Sequence, residues 1–315
     1  MVLATSSSTL AAPSRTTTGV VVVNTRLAYG GGGGAGTGIV LTSSGTVLTN
    51  NHVIRGAGSI RVTVPSSGRS YTATVSGYSV SKDVALLKLR DAQGLATVRT
   101  GNSNAVEVGD RVTAVGNAGG TGKLTTKSGR VTGLGQSITI SNEGDLFTLP
   151  GLIETTAPLR SGDSGGPLLS GERVIGIDAA ASGDVFFRGS GQGYAIPINR
   201  ALKIAGQIDA GRRSSTVHVG PTAFLGVALR RASDAGEDVA GAVVDRTASG
   251  TPADRAGIGA NDSITSFAGK RVSSPASLRK LVLQASPGKT VRITWLDPAA
   301  GKTSATVRLV AGPPQ

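Results

Sequence analysis

The chain has no cysteine among its 315 residues, so neither a disulfide nor a thiolate metal site can staple it. Aromatic residues reach only 3%, with a single tryptophan, which leaves Val, Leu, Ile and Ala to build the cores. No apolar run approaches the roughly 18 residues that a transmembrane helix requires, so none is encoded. Residues 1–14 lack both a charged start and a compact apolar stretch, and no export signal is evident in them. Acidic residues are also short: 19 Asp and Glu face 32 Lys and Arg, a net charge of +13. That excess is spread over both halves, without a basic cluster interleaved with aromatics, and nucleic-acid binding is set aside. Histidine occurs only twice, at positions 52 and 218, so any histidine-dependent chemistry has two candidates.

What is abundant is glycine, 47 residues, between short Val/Ile/Thr runs. That pattern describes a mainly β protein long enough for more than one domain. Residues 1–18, rich in Ser, Thr and Ala, are expected to be a disordered segment. Residues 19–210 hold two β-blocks that suit a pair of small antiparallel barrels, closed by helical spacing at Leu202, Ala205 and Ile208. A polar connector follows over 211–220. Residues 221–311 then change character: two short helices, at Thr251–Gly257 and Ser277–Ala285, are set among strands.

Three motif resemblances fail on inspection. The glycines at 34, 36 and 38 lead into a strand, not a helix whose N-terminus could hold a pyrophosphate. Gly119–Lys123 lacks the first glycine and the Ser/Thr of a phosphate loop, since Asn117 and Leu124 stand there. Asn142–Asp145 lacks calcium-ligand spacing and reads as a turn.

The stretch that packing does not explain is Arg160-Ser161-Gly162-Asp163-Ser164-Gly165-Gly166-Pro167. Flanking glycines allow a backbone whose N–H groups converge on one point, beside a hydroxyl. A nucleophile next to a pocket for an oxyanion is what acyl transfer needs. Serine also needs a histidine base and a carboxylate to orient it. His52 follows the strand-like Val47-Leu48-Thr49, and Asp83 precedes Val84–Leu89, which gives the chain order His, Asp, Ser. Ser164 is thus the expected nucleophile, His52 the base and Asp83 its orienter. The oxyanion hole falls to the loop Gly162-Asp163-Ser164, through the N–H groups of Gly162 and Ser164. His218 is expected to be structural.

Thr49-Asn50-Asn51-His52-Val53, Asp83-Val84-Ala85-Leu86-Leu87, Gly162–Pro167 and Gly193-Tyr194-Ala195-Ile196-Pro197 together resemble the HtrA/Deg serine proteases, most of all their secreted or surface-attached actinobacterial members. The resemblance implies a two-barrel trypsin-like (chymotrypsin-fold) domain followed by an α+β PDZ domain. It implies a serine endopeptidase acting on unfolded or damaged proteins, without a cofactor or metal, outside the cell or at its envelope. In the tail, Phe224-Leu225-Gly226-Val227 is similar to the PDZ carboxylate-binding loop, with Leu278 on the helix beside it. Such a loop captures peptide C-termini, and the strand after it adds the peptide to the sheet. By the same resemblance Ala179 and Ala180 line the wall that pairs with substrate, with Gly191 and Gln192 nearby. Pro158 stands where an acidic pocket floor would select Lys or Arg, so small-to-medium apolar residues are expected at the cleaved position. The family's trimer rests on N-terminal aromatics, and none precedes Tyr29, so a homo-oligomer is implied by the family alone. Asp163 replaces the family's usual Asn, and a local hydrogen-bonding role is expected of it.

Two other readings remain on the residues. Gly162–Gly166 also satisfies the G-x-S-x-G elbow of α/β-hydrolases, but Pro167 and a strand follow where that fold needs a helix. The other is a non-catalytic or gated chaperone or peptide-binding scaffold on the same fold.

Overall fold

A computed structural model describes residues 16–142, 145–179, 193–230 and 241–315. Residues 1–15 of the expected N-terminal segment lie outside them, and Thr16–Thr18 form a turn into the first strand. Strands β1 (Val20–Leu27), β2 (Gly33–Val40), β3 (Thr46–Thr49), β4 (Ala57–Thr63), β5 (Ser70–Ser79) and β6 (Val84–Leu89) pair in the order β5-β4-β1-β2-β3-β6, and β5 closes the ring on β6. A one-turn helix, α1 (Asn51–Ile54), joins β3 to β4.

The four valines that open β1 are all buried because both faces of the strand are covered. Val21 and Val23 point into the barrel, while Val20 joins the apolar cluster that packs one barrel against the other. A run without polar alternation is what a strand buried on both faces requires.

The second ring follows after a short strand, β7 (Arg99–Thr100). It is formed by β8 (Arg111–Gly116), β9 (Thr125–Asn142), β10 (Asp145–Thr155), β11 (Pro167–Ser170), β12 (Arg173–Asp178) and β13 (Gly193–Pro197). Their order is β11-β8-β9-β10-β13-β12, with β11 also paired to β12. Helix α2 (Ile198–Asp209) buries Ile198, Ala201, Ile204, Ala205 and Ile208 along one stripe, in the core cluster shared by both barrels.

Within the connector expected over 211–220, His218 and Val219 form β14 and pair with Tyr78 and Gly77 of β5. Burial of Val217 and His218 explains why this piece is held against the barrel. Beyond it, β15 (Thr222–Phe224), β16 (Val227–Leu229), β17 (Ala242–Thr247), α3 (Pro252–Arg255), β18 (Ser263–Phe267), β19 (Lys270–Arg271), α4 (Pro275–Gln284), β20 (Thr290–Asp297), β21 (Gly301–Arg308) and β22 (Val310–Gly312) build a separate α+β unit. Its main sheet runs β16-β17-β18-β20-β21, and β15 pairs with β22. Helix α4 starts at a capping box: Ser274 Oγ accepts from the Ser277 N–H at 3.2 Å, and Ser277 Oγ accepts from the Ser274 N–H at 3.0 Å. Leu278 and Val282 then bury against Phe267, Ile293 and Trp295.

Candidate active site

The first barrel presents a histidine and a carboxylate already joined. Val53 and Ile54 bury α1, which leaves the His52 side chain 28% exposed at the cleft. Asp83, held at φ 51 just before β6, is almost fully buried. Aspartate tolerates that left-handed backbone better than most residues. Its Oδ2 lies 2.8 Å from His52 Nδ1, and its Oδ1 accepts the His52 backbone N–H at 2.9 Å. An ionised carboxylate can only accept, so Nδ1 carries the proton and Nε2 is left as the basic nitrogen. Asn50 Nδ2 donates to the Asp83 carbonyl at 2.9 Å and holds the two chain segments together.

The second barrel supplies Ser164, in the turn between β10 and β11. Thr37 of β2 bonds this turn twice, and Thr49 of β3 braces Thr37. The Thr37 N–H donates to the Ser164 carbonyl at 2.8 Å, and Thr37 Oγ1 donates to the Gly162 carbonyl at 2.7 Å. Thr49, three residues before His52, donates through Oγ1 to the Thr37 carbonyl at 2.7 Å. Gly36 lies between the two parts: a Cβ there would stand 2.7 Å from Val53 Cγ1 and 3.2 Å from the Ser164 carbonyl oxygen. The histidine helix and the serine turn therefore meet across one glycine.

Gly162 takes φ 94, and a Cβ on it would fall 2.1 Å from the Asn117 carbonyl oxygen, so only glycine fits. The Asp163 N–H donates to the Arg160 carbonyl at 3.0 Å, so of the expected oxyanion loop that donor is already engaged. Asp163 turns its carboxylate inward, to Lys127 Nζ at 2.5 Å and the Arg160 N–H at 2.7 Å. The local hydrogen bond expected of Asp163 is there, and a buried ion pair accompanies it. Asp178, fully buried at the end of β12, is bonded through its backbone: its N–H donates to Gly166 O, and its carbonyl accepts from the Gly165 N–H. Burial pushes its carboxyl well above the usual range, the Asp163 charge pushes it further, and the Lys127 ammonium opposes both.

Of the expected substrate wall, Ala179 is buried and its N–H donates to Tyr194 O at 2.8 Å. Ala180, Gly191 and Gln192 lie outside the described residues. Among the described residues no cluster of His, Asp or Glu could hold a metal ion, and no helix is long and apolar enough to cross a membrane.

A second concave site is a cavity of about 980 Å³. Phe224, Leu225, Gly226, Val227, Leu278 and Val282 line it, and so do residues of the first barrel and of the chain's last three positions. Residues 225 and 226 fall between the paired stretches of β15 and β16. Gly226, at φ 96, faces Thr251 so closely that a Cβ would overlap its side chain. Tyr29 of the first barrel stacks on Phe224, with ring centroids 5.1 Å apart and planes 15° apart.

Sequence reasoning missed Lys127, Thr37 and Thr49. Each is a polar residue in a strand, with nothing local to mark it.

A two-barrel fold with a histidine–carboxylate pair on one barrel and a glycine-flanked serine turn packed against that barrel defines a class, the trypsin-like peptidases. The trypsin-like peptidase domain family matches residues 36–177, and the PDZ domain family matches residues 223–299. The putative serine protease HhoA of Synechocystis is 32% identical over 272 residues, covering 83% of this chain and 67% of that protein. A probable periplasmic DegP-like serine endoprotease of Chlamydia trachomatis is 33% identical over 264 residues, covering 81% of this chain and 50% of its own length. The chain thus spans about half the length of its chlamydial relatives. Among solved structures, the HtrA-type protease AlgW with a tripeptide superposes with a TM-score of 0.54 at 27% identity, over 96% of each chain. The chain belongs to the HtrA/Deg family of trypsin-like serine proteases with a C-terminal PDZ domain. These relatives come from different bacterial groups, so the comparison supports the family and not its actinobacterial branch.

Proposed function

We propose that this chain is a serine endopeptidase of unfolded or damaged proteins, with Ser164 as nucleophile, His52 as general base and Asp83 as its orienter. The observation that carries the reading is the Asp83 carboxylate, which grips both the backbone N–H and Nδ1 of His52. In the reaction Ser164 Oγ attacks a peptide carbonyl, and His52 Nε2 takes its proton and later returns it to the leaving amine. The N–H groups of Gly162 and Ser164 receive the developing oxyanion. Small-to-medium apolar residues enter beside Ala179 and Ala180, near Gly191 and Gln192.

The protease unit is taken as residues 19–210 and the PDZ unit as 221–311. Phe224–Val227 and Leu278 bind peptide C-termini, and the whole works as a homo-oligomer outside the cell or at its envelope. The gated variant of this reading has one contact in its favour, the Tyr29–Phe224 stack, which ties the peptide loop to the protease barrel.

An organophosphonate probe and a casein digest test the reading. The expected result is a single adduct on Ser164, with cleavage by Ser164→Ala reduced by about 10³-fold or more and peptide binding retained. Equal digestion by wild type and Ser164→Ala, or an adduct elsewhere, sinks it.

A further inference from the structure

The serine turn rests on a buried charge outside the His52–Asp83 pair. Asp163, one residue before Ser164, is 1% exposed at its side chain, and Lys127 is 13% exposed. Lys127 comes from the middle of the β8–β9 ladder, opposite Ala114, so its backbone is set by strand pairing on the wall of the second barrel. Asp163 is tightly enclosed. The last residue of β8, Gly116, is so close that a Cβ there would fall 2.6 Å from Asp163 Cα. One carboxylate oxygen takes Lys127 Nζ and the Arg160 N–H, while the other, Oδ1, has no hydrogen-bond partner among the described residues. Remove the ammonium, and a buried carboxylate keeps one backbone donor and no counter-charge. The nearest relief is for it to swing toward water, and it cannot do so without carrying the 162–164 backbone along. Burial pushes the neighbouring Asp178 carboxyl well above the usual carboxylate range, and the Lys127 ammonium is bonded to Asp163.

We propose that Lys127 is a positioning residue for catalysis: its ammonium pins the Asp163 carboxylate and so holds the Gly162 and Ser164 N–H groups where the oxyanion forms. Lys127 touches no substrate; it acts through Asp163. The role rests on the serine-endopeptidase reading. It also assigns a reason for Asp163 itself, because an aspartate here works only with a cation supplied from inside the barrel.

The test compares wild type, Lys127→Met and the double variant Lys127→Met/Asp163→Asn, in peptide cleavage and in the rate of phosphonate labelling at Ser164. In Lys127→Met, kcat and the labelling rate are expected to fall about 100-fold, the scale of losing one oxyanion donor, with KM within about threefold. The double variant removes the unpaired charge, keeps an acceptor for the Arg160 N–H, and is expected to recover about tenfold or more of the loss. A purely structural lysine predicts otherwise: the double variant then stays as slow as Lys127→Met. That result overturns the inference, as does a Lys127→Met enzyme within about threefold of wild type in kcat. Should Lys127→Met fail to fold, the double variant decides alone, active in support and folded but inactive against. A wild type that neither cleaves nor labels overturns the endopeptidase reading beneath it, and that failure shows before any variant is compared.

Discussion

Each barrel buries carboxylates beside the cleft, but the two barrels satisfy them differently. In the first, both oxygens of Asp83 are met by one residue, His52. In the second, Asp163 has one oxygen met and one unmet, and Asp178 has neither side-chain oxygen hydrogen-bonded among the described residues. A buried charge with its hydrogen bonds complete fixes a geometry at modest cost. One left incomplete costs more than the roughly 1–3 kcal/mol of an unsatisfied neutral group and persists only where the fold uses it or tolerates it. The first barrel therefore holds the part of the site that has to be ready, and the second holds the part whose shape is under electrostatic tension.

The sharpest way to break that contrast is Asp83→Asn. The amide offers an NH₂ group where His52 Nδ1–H needs an acceptor, so the imidazole turns to the wrong tautomer. A fall in kcat of about 10⁴-fold is expected, with little change in KM, measured on a small peptide ester or amide. If the variant keeps a tenth or more of wild-type kcat, Asp83 is no better placed than Asp178, and the comparison fails.

Asp178→Asn probes the other side. The folded-state pKa of Asp178 is raised by burial and by Asp163. The folded protein therefore binds this proton more tightly than the unfolded chain, and Asp178's contribution is most favourable below the unfolded value. It is lost as pH rises toward the folded one. Asparagine does not titrate, so the variant should gain on wild type as pH climbs above about 4. The gain should still be growing toward neutral pH. Thermal melts at pH 4 and pH 8 check the sign: an advantage that shrinks with rising pH would mean that Lys127 keeps Asp178 ionised.

How far this could be read beforehand depended on whether chemistry or packing chose the residue. His52, Asp83 and Ser164 stood out because acyl transfer needs those residue types in an order that few chains supply. Val20–Val23 and the stripe on α2 stood out because burial leaves periodic marks. Lys127 did not, because its partner lies 36 residues away and is reached only through ladder pairing that no local pattern encodes. Thr37 and Thr49 were silent for the same reason: a strand threonine looks alike whether its hydroxyl meets water, the serine turn, as Thr37 does, or a neighbouring strand, as Thr49 does. In the connector 211–220 the polar Gly-Arg-Arg-Ser-Ser start is followed by Val217 and His218, which are buried, and nothing in the polar start marks that change.

A smaller effect is expected at the joint between protease and PDZ units, where the same contrast of complete and incomplete bonding can be tested without touching the cleft. Tyr78 of β5 is buried, its ring lies 5.0 Å from that of His218, and its hydroxyl bonds Thr222 Oγ1 at 2.9 Å and the Gln315 N–H at 3.2 Å. Burial pushes the phenol up to about 12, so it stays protonated across the working range. Close by, the Gly56 N–H donates to Pro314 O at 2.8 Å, and Asn51 Nδ2, beside His52, donates to Gln315 O at 3.0 Å. Tyr78→Phe keeps the ring and deletes only the hydroxyl, so it should cost about 1 kcal/mol. The melting temperature should fall by a few degrees at most. Amide exchange should rise at residues 222 and 315 and remain unchanged at β20. If exchange is unaltered, the units are joined by the pairing of Tyr78 with His218 along the strand, and the hydroxyl is incidental.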